Sequence, residues 1–541
     1  MSLVRPARVR PSGRVETKSQ KQAGAEPAKF PAPSTGWVEN QSLASNASGA
    51  LVCENMFPTA KGLRVRSGAT KVATVGARAV SMFTYETATV SKLFCATGSA
   101  VYDITAMNPS VVPSAAISGL SSGYFSTEQM GTVGGEFLYA VNGTNSARLF
   151  DGTSWATVTG VSSPAITGVA TADLSYVWKH KNRLWFVEKN SKDAWYLPVD
   201  AIAGAAAQFS LAGVFQKGGA LLFGATWSQD AGDGMDDRII FVSTEGEVAV
   251  YQGSNPASAT DWALVGLYSM PKPRGKKCHI KAGGDIIIGT DSGAIPLSAV
   301  VAKDPAALLE SAVSAAVETS WLKYSRTWDG VQPWEMIKWA HGNMMFVSVP
   351  HESSIALVAN LETGSWAKYI GWDSQCLTVF DDDLYFADKS GFVFAAERGG
   401  TDNGAAYAAR LCYMPNDLGR VVQHKTCGLM RATFKAVGSP IVQLSASADY
   451  EVQFPALPNA FSPSGGGGAR WDVALWDVAK WDDDGLNSYL VKPTYSTGWV
   501  SVSAQGYALS PQMQIVINGA GGPDIELVQI DMMVETGGSV V

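Results

Sequence analysis

A short unit recurs along the middle of the chain: an apolar run, a polar turn with Gly, Asn or Asp, and a second β-rich run. Such a unit is typical of a β-hairpin, in which alternate side chains face a core. The copies align on one apolar position in each, at Phe94, Tyr139, Phe186, Phe241, Ile288, Phe346 and Phe386. The intervals of 45, 47, 55, 47, 58 and 40 residues are typical of β-propeller blades, since a hairpin cannot bury both faces alone.

We therefore predict an all-β fold: an irregular β-propeller of about six to seven blade hairpins over residues 36–400, with an additional C-terminal β domain over 401–541. The alternative is a row of unrelated hairpins in one or more sandwiches. Composition agrees with a β protein, because 16% charged residues, 55 Gly and 17 Trp fit neither a disordered chain nor a coiled coil. No apolar stretch approaches the ~18 residues of a membrane span.

One segment within the propeller region has a helical pattern instead. Asp304 and Pro305 precede an Ala- and Leu-rich run, which places a capping residue and a proline where helices begin. We predict one inserted helix near residues 305–323. Because it lies within the longest interval between hairpins, we expect it to project from the ring.

The C-terminal region has longer β-rich runs than the blades. It also contains a Gly-rich linker at residues 462–470 and a Trp-Asp repeat with Trp471, Trp476 and Trp481 spaced by five. A spacing of five fits neither one helical face nor strand alternation. We interpret the repeat as successive turns whose rings pack on a neighbouring surface.

Residues 1–35 differ from the rest of the chain in charge. They contain seven basic and two acidic residues. The whole chain has 41 basic and 48 acidic residues, so the remainder has 34 basic and 46 acidic residues, a net charge of −12. Five prolines predict a flexible arm, and no hydrophobic signal segment precedes it. We predict that Arg5, Arg8, Arg10 and Arg14 contact a partner, the alternative being a solvated leader. The acidic body is not expected to grip nucleic acid.

Residues capable of catalysis or metal binding are scattered. The cysteines have no zinc or redox spacing, which predicts small buried side chains in a protein made in a reducing compartment. They are Cys53, Cys95, Cys278, Cys376, Cys412 and Cys427. The five histidines are far apart, and we expect them to be hydrogen-bonded in the core or exposed. They are His180, His279, His341, His351 and His424.

Three groups of acidic residues could be considered for calcium or glycoside chemistry. They are Asp230, Asp233, Asp236 and Asp237, then 381–383, and then 482–484. The first lacks EF-hand spacing, and neighbouring strand residues in the other two face opposite sides, so polar turns are the better interpretation. Neither a phosphate-binding loop nor a nucleophile elbow is present. We predict no enzyme, no catalytic residue, no cofactor and no metal site.

An N-terminal motif also resembles a known family. After Gly36 and Trp37, a Glu-Asn-x-x-Pro segment from Glu54 to Pro58 precedes Arg66-x-Gly68. Together with the order of later segments over residues 36–405, this resembles the tail nozzle proteins, or packaged-DNA stabilisation proteins, of short-tailed bacteriophages. The long basic arm and the helix at 305–323 depart from the family pattern.

The resemblance implies a structural subunit of the virion tail, assembled in the host cytoplasm. It implies a ring, commonly homo-hexameric, that contacts the tail adaptor and retains packaged DNA. The lumen would conduct genomic DNA during ejection without sequence-specific binding. Two alternatives are a receptor- or glycan-binding propeller of the tail tip and a propeller hydrolase. The blades repeat neither a Trp/Asp pocket nor a carboxylate position, which disfavours both.

Overall fold

Each of the seven recurring units forms a small antiparallel sheet, and the aligned apolar residue lies in its second strand. All seven aligned side chains are buried. The computed structural model describes residues 24–39, 48–228, 237–328, 330, 332–350, 354–436, 438–462, 494–519 and 521–539. The predicted all-β propeller is confirmed.

We number the blades in chain order. The strands of blade 1 are Ala79–Glu86, Ser91–Thr97, Ala100–Asp103 and Ala115–Ser118. Those of blade 2 are Ser126–Thr132, Gly135–Val141, Ala147–Phe150 and Trp155–Val158. Those of blade 3 are Leu174–His180, Arg183–Glu188, Asp193–Tyr196 and Ala207–Ser210. The strands of blades 4 and 5 are Leu221–Trp227, Arg238–Ser243, Glu247–Gln252 and Ala263–Ser269; and His279–Ala282, Asp285–Gly289 and Ala294–Pro296. The strands of blade 6 are Glu335–Trp339, Met344–Val349, Ile355–Asn360 and Trp366–Ile370. Those of blade 7 are Cys376–Phe380, Asp383–Ala387, Phe392–Ala395 and Thr70–Thr74.

The ring closes by pairing distant parts of the chain. Thr70–Thr74 precedes blade 1 in sequence but is the fourth strand of blade 7, with Phe392 opposite Thr74. Six blades are separate sheets, whereas blade 6 continues into a nine-stranded sheet. Aromatic pairs join neighbouring blades; the ring centroids of Phe94 and Phe150 are 5.2 Å apart. The first strands of several neighbouring blades contact one another, so they surround the axis of the ring.

Two further sheets form what we call the terminal domain, the described parts of residues 24–69 and 401–539. One continues blade 6 through Ala50–Glu54, Tyr407–Tyr413, Leu509–Ile517, Gln443–Ala448 and Ala460–Phe461. The other contains Glu26–Pro31, Met56–Pro58, Leu63–Val65, Gln423–Ala436, Thr494–Ser496, Val500–Gly506 and Ile525–Ser539. Both ends of the chain therefore build this domain. A short parallel pair, Ile166–Thr167 with Gly204–Ala205, and a 3₁₀ turn at Thr171–Asp173 lie in the loops of blades 2 and 3.

The predicted boundaries at the N-terminus need correction. Residues 24–35 do not form a flexible arm, because Glu26–Pro31 is a strand paired with the segment Gln529 to Val534. Phe30 is buried and packs edge-on against Tyr413, with ring centroids 5.9 Å apart. Prolines are compatible with this strand because it lies at the edge of its sheet. Residues 36–69 belong to the terminal domain, not to the propeller. Residues 1–23, including Arg5, Arg8, Arg10 and Arg14, lie outside the described residues.

The inserted helix begins as predicted but does not continue over 305–323. The Asp304 carboxylate accepts a hydrogen bond from the Ala306 amide at 2.9 Å, as a capping residue does. Three 3₁₀ turns follow, and the helices are Leu297–Ala302 and Glu318–Thr327. The turns are Pro305–Ala307, Leu309–Ser311 and Ala315–Val317.

The cause of this interruption is that the segment's apolar side chains are buried in two different cores. Leu308 packs with blades 3 to 5, whereas Val317 and Trp321 pack with the terminal domain. The Trp321 indole donates to the Thr290 carbonyl at 2.9 Å. The segment therefore does not project from the ring, contrary to expectation, but fills the space between blade 5 and the terminal domain.

The edge strand Glu26–Pro31 supports a prediction about truncation. Deleting residues 1–33 removes this strand and Phe30, and we expect a loss of about 3 kcal/mol in the free energy of unfolding. Deleting residues 1–23 leaves the strand in place and is the matched control, with no loss expected. Urea unfolding of both truncated proteins measures the difference. Equal stability of the two would contradict the role assigned to the strand.

Candidate functional site

The axis of the propeller contains a cavity lined by first-strand side chains. One part, of about 410 Å³, is lined by residues from the first strands of blades 1, 2, 3, 5, 6 and 7. A second part, of about 340 Å³, extends toward blade 4 and shares Glu128, Tyr176 and His279 with the first. We call the two parts together the axial cavity. Its size is that of a small-molecule pocket.

One side of the axial cavity combines a carboxylate with two lysines. Glu128 lies in the first strand of blade 2, Lys179 in that of blade 3 and Lys281 in that of blade 5. Burial raises the pKa of the Glu128 carboxyl to about 7, and the charges of Lys179 and Lys281 oppose this rise. Glu128 is thus poised between its neutral and charged forms near physiological pH.

On the opposite side, a lysine and a glutamate form an ion pair. Lys277 Nζ lies 3.4 Å from the Glu335 carboxylate, which also accepts a hydrogen bond from the Leu377 amide at 3.0 Å. Glu335 is almost fully buried, and burial raises its pKa, opposed chiefly by Lys277. Behind it, Lys276 donates to the backbone carbonyls of Ser175 and Tyr124. These contacts join blade 5 to blades 2 and 3.

Two histidines are close to the axis, and both are neutral at physiological pH. His279 stacks on Phe223 with ring centroids 4.3 Å apart, and its Nε2 lies 3.3 Å from the Tyr176 hydroxyl. Burial lowers the pKa of His279 to about 4 and that of His180 to about 3. His180 Nδ1 lies 3.0 Å from the Thr226 hydroxyl. The expectation of packed histidines is confirmed for this pair; His341 is exposed, and His351 lies outside the described residues.

Sequence reasoning missed the axial residues because no local motif contains them. Glu128, Lys179 and Lys281 are separated by 51 and 102 residues, and only closure of the ring brings them together. One signal was available: each is a charged residue in the first strand of a predicted blade. First strands surround the axis of a propeller, so such charges indicate an axial site.

The motif that carries the family resemblance forms a buried junction. The fully buried Arg66 guanidinium donates to both Asp402 carboxylate oxygens, at 2.9 and 2.6 Å, and its Nε donates to Asn55 Oδ1 at 2.9 Å. Tyr407 and Trp372 stack against it, with ring centroids 4.0 and 4.6 Å from Cζ. The Asp402 hydrogen bond and charge raise the pKa of Arg66 despite burial, which lowers it. Arg66 is therefore permanently charged and paired.

The other motif residues hold the same junction together. Asn55 has a positive φ of 56°, which lets its side chain also accept from the Ile370 amide at 2.8 Å. Glu54 forms an ion pair with Lys368 of blade 6 at 2.8 Å. A Cβ on Gly68 would lie 2.0 Å from the Thr401 carbonyl oxygen, so only glycine fits there. The motif thus joins the terminal domain to the propeller.

Most of the remaining predictions from the sequence can be located. Asp381 and Asp382 have φ of 49° and 61° and form a hairpin turn, which confirms the interpretation of a polar turn. Asp237 is buried and lines the axial cavity. All six cysteines are free and buried, as predicted. Asp230, Asp233, Asp236, the Trp-Asp repeat with Trp471, Trp476 and Trp481, and residues 482–484 lie outside the described residues.

Within the part of the chain that the structure describes, no group of three or more His, Cys, Asp or Glu side chains is placed to hold a metal ion. None of the helices described there has the length and apolar character needed to cross a membrane.

Comparison with known proteins finds similarity only at the level of structure. No family model and no curated protein matches the sequence. The β-propeller domain of Cps50 (Swd1) from Myceliophteria thermophila is 9% identical with a TM-score of 0.37, covering 61% of this chain and 99% of that one. BBS1N, solved in complex with ARL6DN, is 10% identical with a TM-score of 0.36, covering 61% and 97%. BamB from Moraxella catarrhalis is 12% identical with a TM-score of 0.33, covering 63% and 92%. This chain is defined as a propeller by its own ring of blades.

Proposed function

We propose that this protein is a structural subunit of a bacteriophage tail, forming a nozzle ring that retains packaged DNA and conducts it during ejection. The sequence resemblance over residues 36–405 suggests this role. The observation that supports it best is the place of the shared motif: Glu54, Asn55, Arg66 and Gly68 join the two parts of the subunit and are not among the residues that line the axial cavity. The shared residues serve the framework, as a structural role requires.

The axial cavity of one propeller is too small to be the DNA conduit. Side chains such as Glu128, Tyr176 and Glu335 line a space of about 410 Å³, the size of a small-molecule site. A conduit for duplex DNA would therefore lie between subunits. A closed ring of identical subunits, homo-hexameric in our proposal, creates such a lumen through heterologous interfaces.

The terminal domain offers the surface for these interfaces. Nine of the 17 large apolar side chains exposed in the described residues lie between 421 and 507, although residues 401–541 supply only about a quarter of those described. Concentrations of exposed apolar side chains are typical of protein–protein contacts. We assign subunit and adaptor contacts to this domain. We also assign Arg5, Arg8, Arg10 and Arg14 to contact with an acidic surface of the adaptor.

Charge is consistent with passage of DNA without binding. The net charge of −12 outside residues 1–35 disfavours phosphate contacts, which need clustered Lys and Arg. We expect purified rings to bind duplex DNA weakly, with a shallow salt dependence. Tight duplex binding at physiological salt would contradict the conduit.

Mass photometry of the purified protein with and without the tail adaptor tests assembly. We expect a ring of identical subunits, six in number, when the adaptor is present. Val421→Asp with Val422→Asp should weaken assembly, because it charges the terminal domain. Val133→Asp with Val161→Asp is the matched control, since both valines are fully exposed on blade 2, and it should assemble normally. A persistent monomer with adaptor and portal present would overturn the proposal.

A second candidate function is receptor or glycan binding at the tail tip. It is favoured by three exposed aromatic side chains of the terminal domain, Tyr450, Trp499 and Tyr507, because aromatic rings stack on sugars. The Trp499 ring already faces the Arg431 guanidinium, with Cζ 4.8 Å from its centroid. Binding to a glycan array that is lost in Trp499→Ala, with ring assembly unchanged, would support this function.

A further inference from the structure

The axial cavity has a positive charge excess on one side that its own residues do not balance. Lys277 is paired with Glu335 in the other part of the cavity, and Lys181 donates to the Gly253 carbonyl at 3.1 Å. The charges of Lys179 and Lys281 both act on the Glu128 carboxylate. Three lysines, Lys179, Lys181 and Lys281, and two carboxylates, Glu128 and Asp237, line this part of the cavity, so the lysines exceed the carboxylates by one.

Aromatic rings form the walls around these lysines, and a glycine leaves space beside one of the rings. Trp178 is buried and lies flat over Gly224, where an added Cβ would come within 2.3 Å of the indole ring. Tyr176 and His279 continue this wall, and both line the cavity. Lys179 and Lys281 are both exposed, so an anion can reach them from solvent.

We propose that the axial cavity binds a small oxyanion of the phosphate or sulfate class between Lys179 and Lys281, and that protonation of Glu128 strengthens this binding. The anion offsets the positive charge by which Lys179, Lys181 and Lys281 exceed Glu128 and Asp237. A charged Glu128 competes with the anion for the same two lysines, whereas a neutral Glu128 does not.

The groups around Glu128 determine the pH dependence. Burial keeps His279 neutral above its pKa of about 4. Burial raises the pKa of Tyr176 well above its usual range, so it remains a phenol. Burial raises the pKa of Glu128 to about 7 and lowers that of Lys276 to about 7, so both groups change charge between pH 6 and pH 8. Glu128 lines the cavity, whereas Lys276 lies behind it and donates to the Ser175 and Tyr124 carbonyls.

Further charged groups line the cavity besides Glu128 and the two proposed lysines. Lys277 and Glu335 form their own ion pair in the other part. Asp237 lines the same part as Lys179, Lys181 and Lys281. Oxyanion binding is therefore expected to weaken as pH rises through about 7, because Glu128 loses its proton.

Isothermal titration of the full-length protein with sulfate tests the proposal, because the charge of sulfate is constant between pH 6 and 8. We expect binding at pH 6 and about tenfold weaker binding at pH 8, since repulsion by one nearby charge is worth at least that factor. Glu128→Gln should bind equally at both pH values. Titration with inorganic phosphate at pH 6 determines whether the site distinguishes the two oxyanions.

Lysine variants locate the site. Lys179→Met and Lys281→Met should each weaken sulfate binding at least tenfold, while Lys281→Arg retains it. Lys389→Met, on the exposed surface of blade 7, is the matched control and should bind as the unaltered protein does. No sulfate binding at pH 6, or equal affinity in Lys179→Met, Lys281→Met and Lys389→Met, would overturn the proposal. These measurements use the isolated chain, so failure of ring assembly would leave them unaffected.

Discussion

Replacing Arg66 with Met is expected to lower the free energy of unfolding by about 3–5 kcal/mol, because it breaks a buried ion pair and leaves the Asp402 carboxylate without its partner. Asp402 would lose both hydrogen bonds from the guanidinium, and Asn55 Oδ1 and the Ile370 carbonyl would each lose one. Arg66→Lys should recover only part of the loss, because an ammonium group cannot make the paired contact to Asp402. Urea unfolding monitored by tryptophan fluorescence measures the effect.

Arg398→Met is the matched control for this prediction. Arg398 also pairs with an aspartate, Asp383, but half of its side chain is exposed. Exposed pairs contribute at most about 1 kcal/mol, so this variant should remain close to the unaltered protein. If Arg66→Met and Arg398→Met were equally stable, the Arg66 junction would not be holding the terminal domain to the propeller.

Trp185→Ala is expected to cost about 3–5 kcal/mol, the range for deleting a large buried aromatic side chain. Trp185 is fully buried between blades 3 and 4. Its ring centroid lies 4.8 Å from that of Tyr196 and 5.7 Å from those of Phe241 and Trp262. No hydrogen bond to the indole NH is found among the described residues, so Trp185→Phe should recover most of the stability.

Trp499→Ala serves as the control for the same kind of truncation. Trp499 is 43% exposed on the terminal domain, and its loss should cost less than about 1 kcal/mol. Denaturant unfolding at 25 °C compares the three variants with the unaltered protein. A loss in Trp185→Ala no larger than in Trp499→Ala would show that the cluster between blades 3 and 4 contributes little to stability.

The propeller could be predicted from the sequence because its pattern is local. Each hairpin carries its own turn residues and alternation, and the seven aligned positions from Phe94 to Phe386 all lie in second strands. Within blades 1 to 6 the strands follow chain order, so a repeated local pattern was sufficient to indicate the blades. Closure of the ring through Thr70–Thr74 in blade 7 is not local and did not follow from that pattern.

The terminal domain could not be predicted in this way, because its pairing is not local. Ala50–Glu54 and Leu63–Val65 have ordinary strand patterns, and nothing in those patterns shows that each also pairs with a strand beyond residue 365. The prediction of one continuous helix over residues 305–323 was wrong for a similar reason. Leu308 and Val317 belong to different cores, and this tertiary packing overrides a sequence suited to one continuous helix.

Prediction of the axial cavity needs both the local sequence pattern and the way in which the ring closes. The sequence shows the charges of Glu128, Lys179 and Lys281, but their proximity depends on how many blades close the ring. Conversely, the Arg66 motif was visible as a motif, yet its buried position and its partner Asp402 are known only from the fold.

Pairing of Glu26–Pro31 with a segment about 500 residues later affects how the chain is made. At ~5–20 residues per second of synthesis, the first strand waits on the order of a minute for its partner. Blades 1 to 5 can form from consecutive hairpins during that time, whereas the terminal domain cannot. Pro27, Lys29 and Pro31 suit a strand that must remain unpaired, because proline and lysine discourage edge-to-edge aggregation. Synthesis of Ile525–Ser539, not of Glu26–Pro31, is therefore the step that allows this sheet of the terminal domain to form.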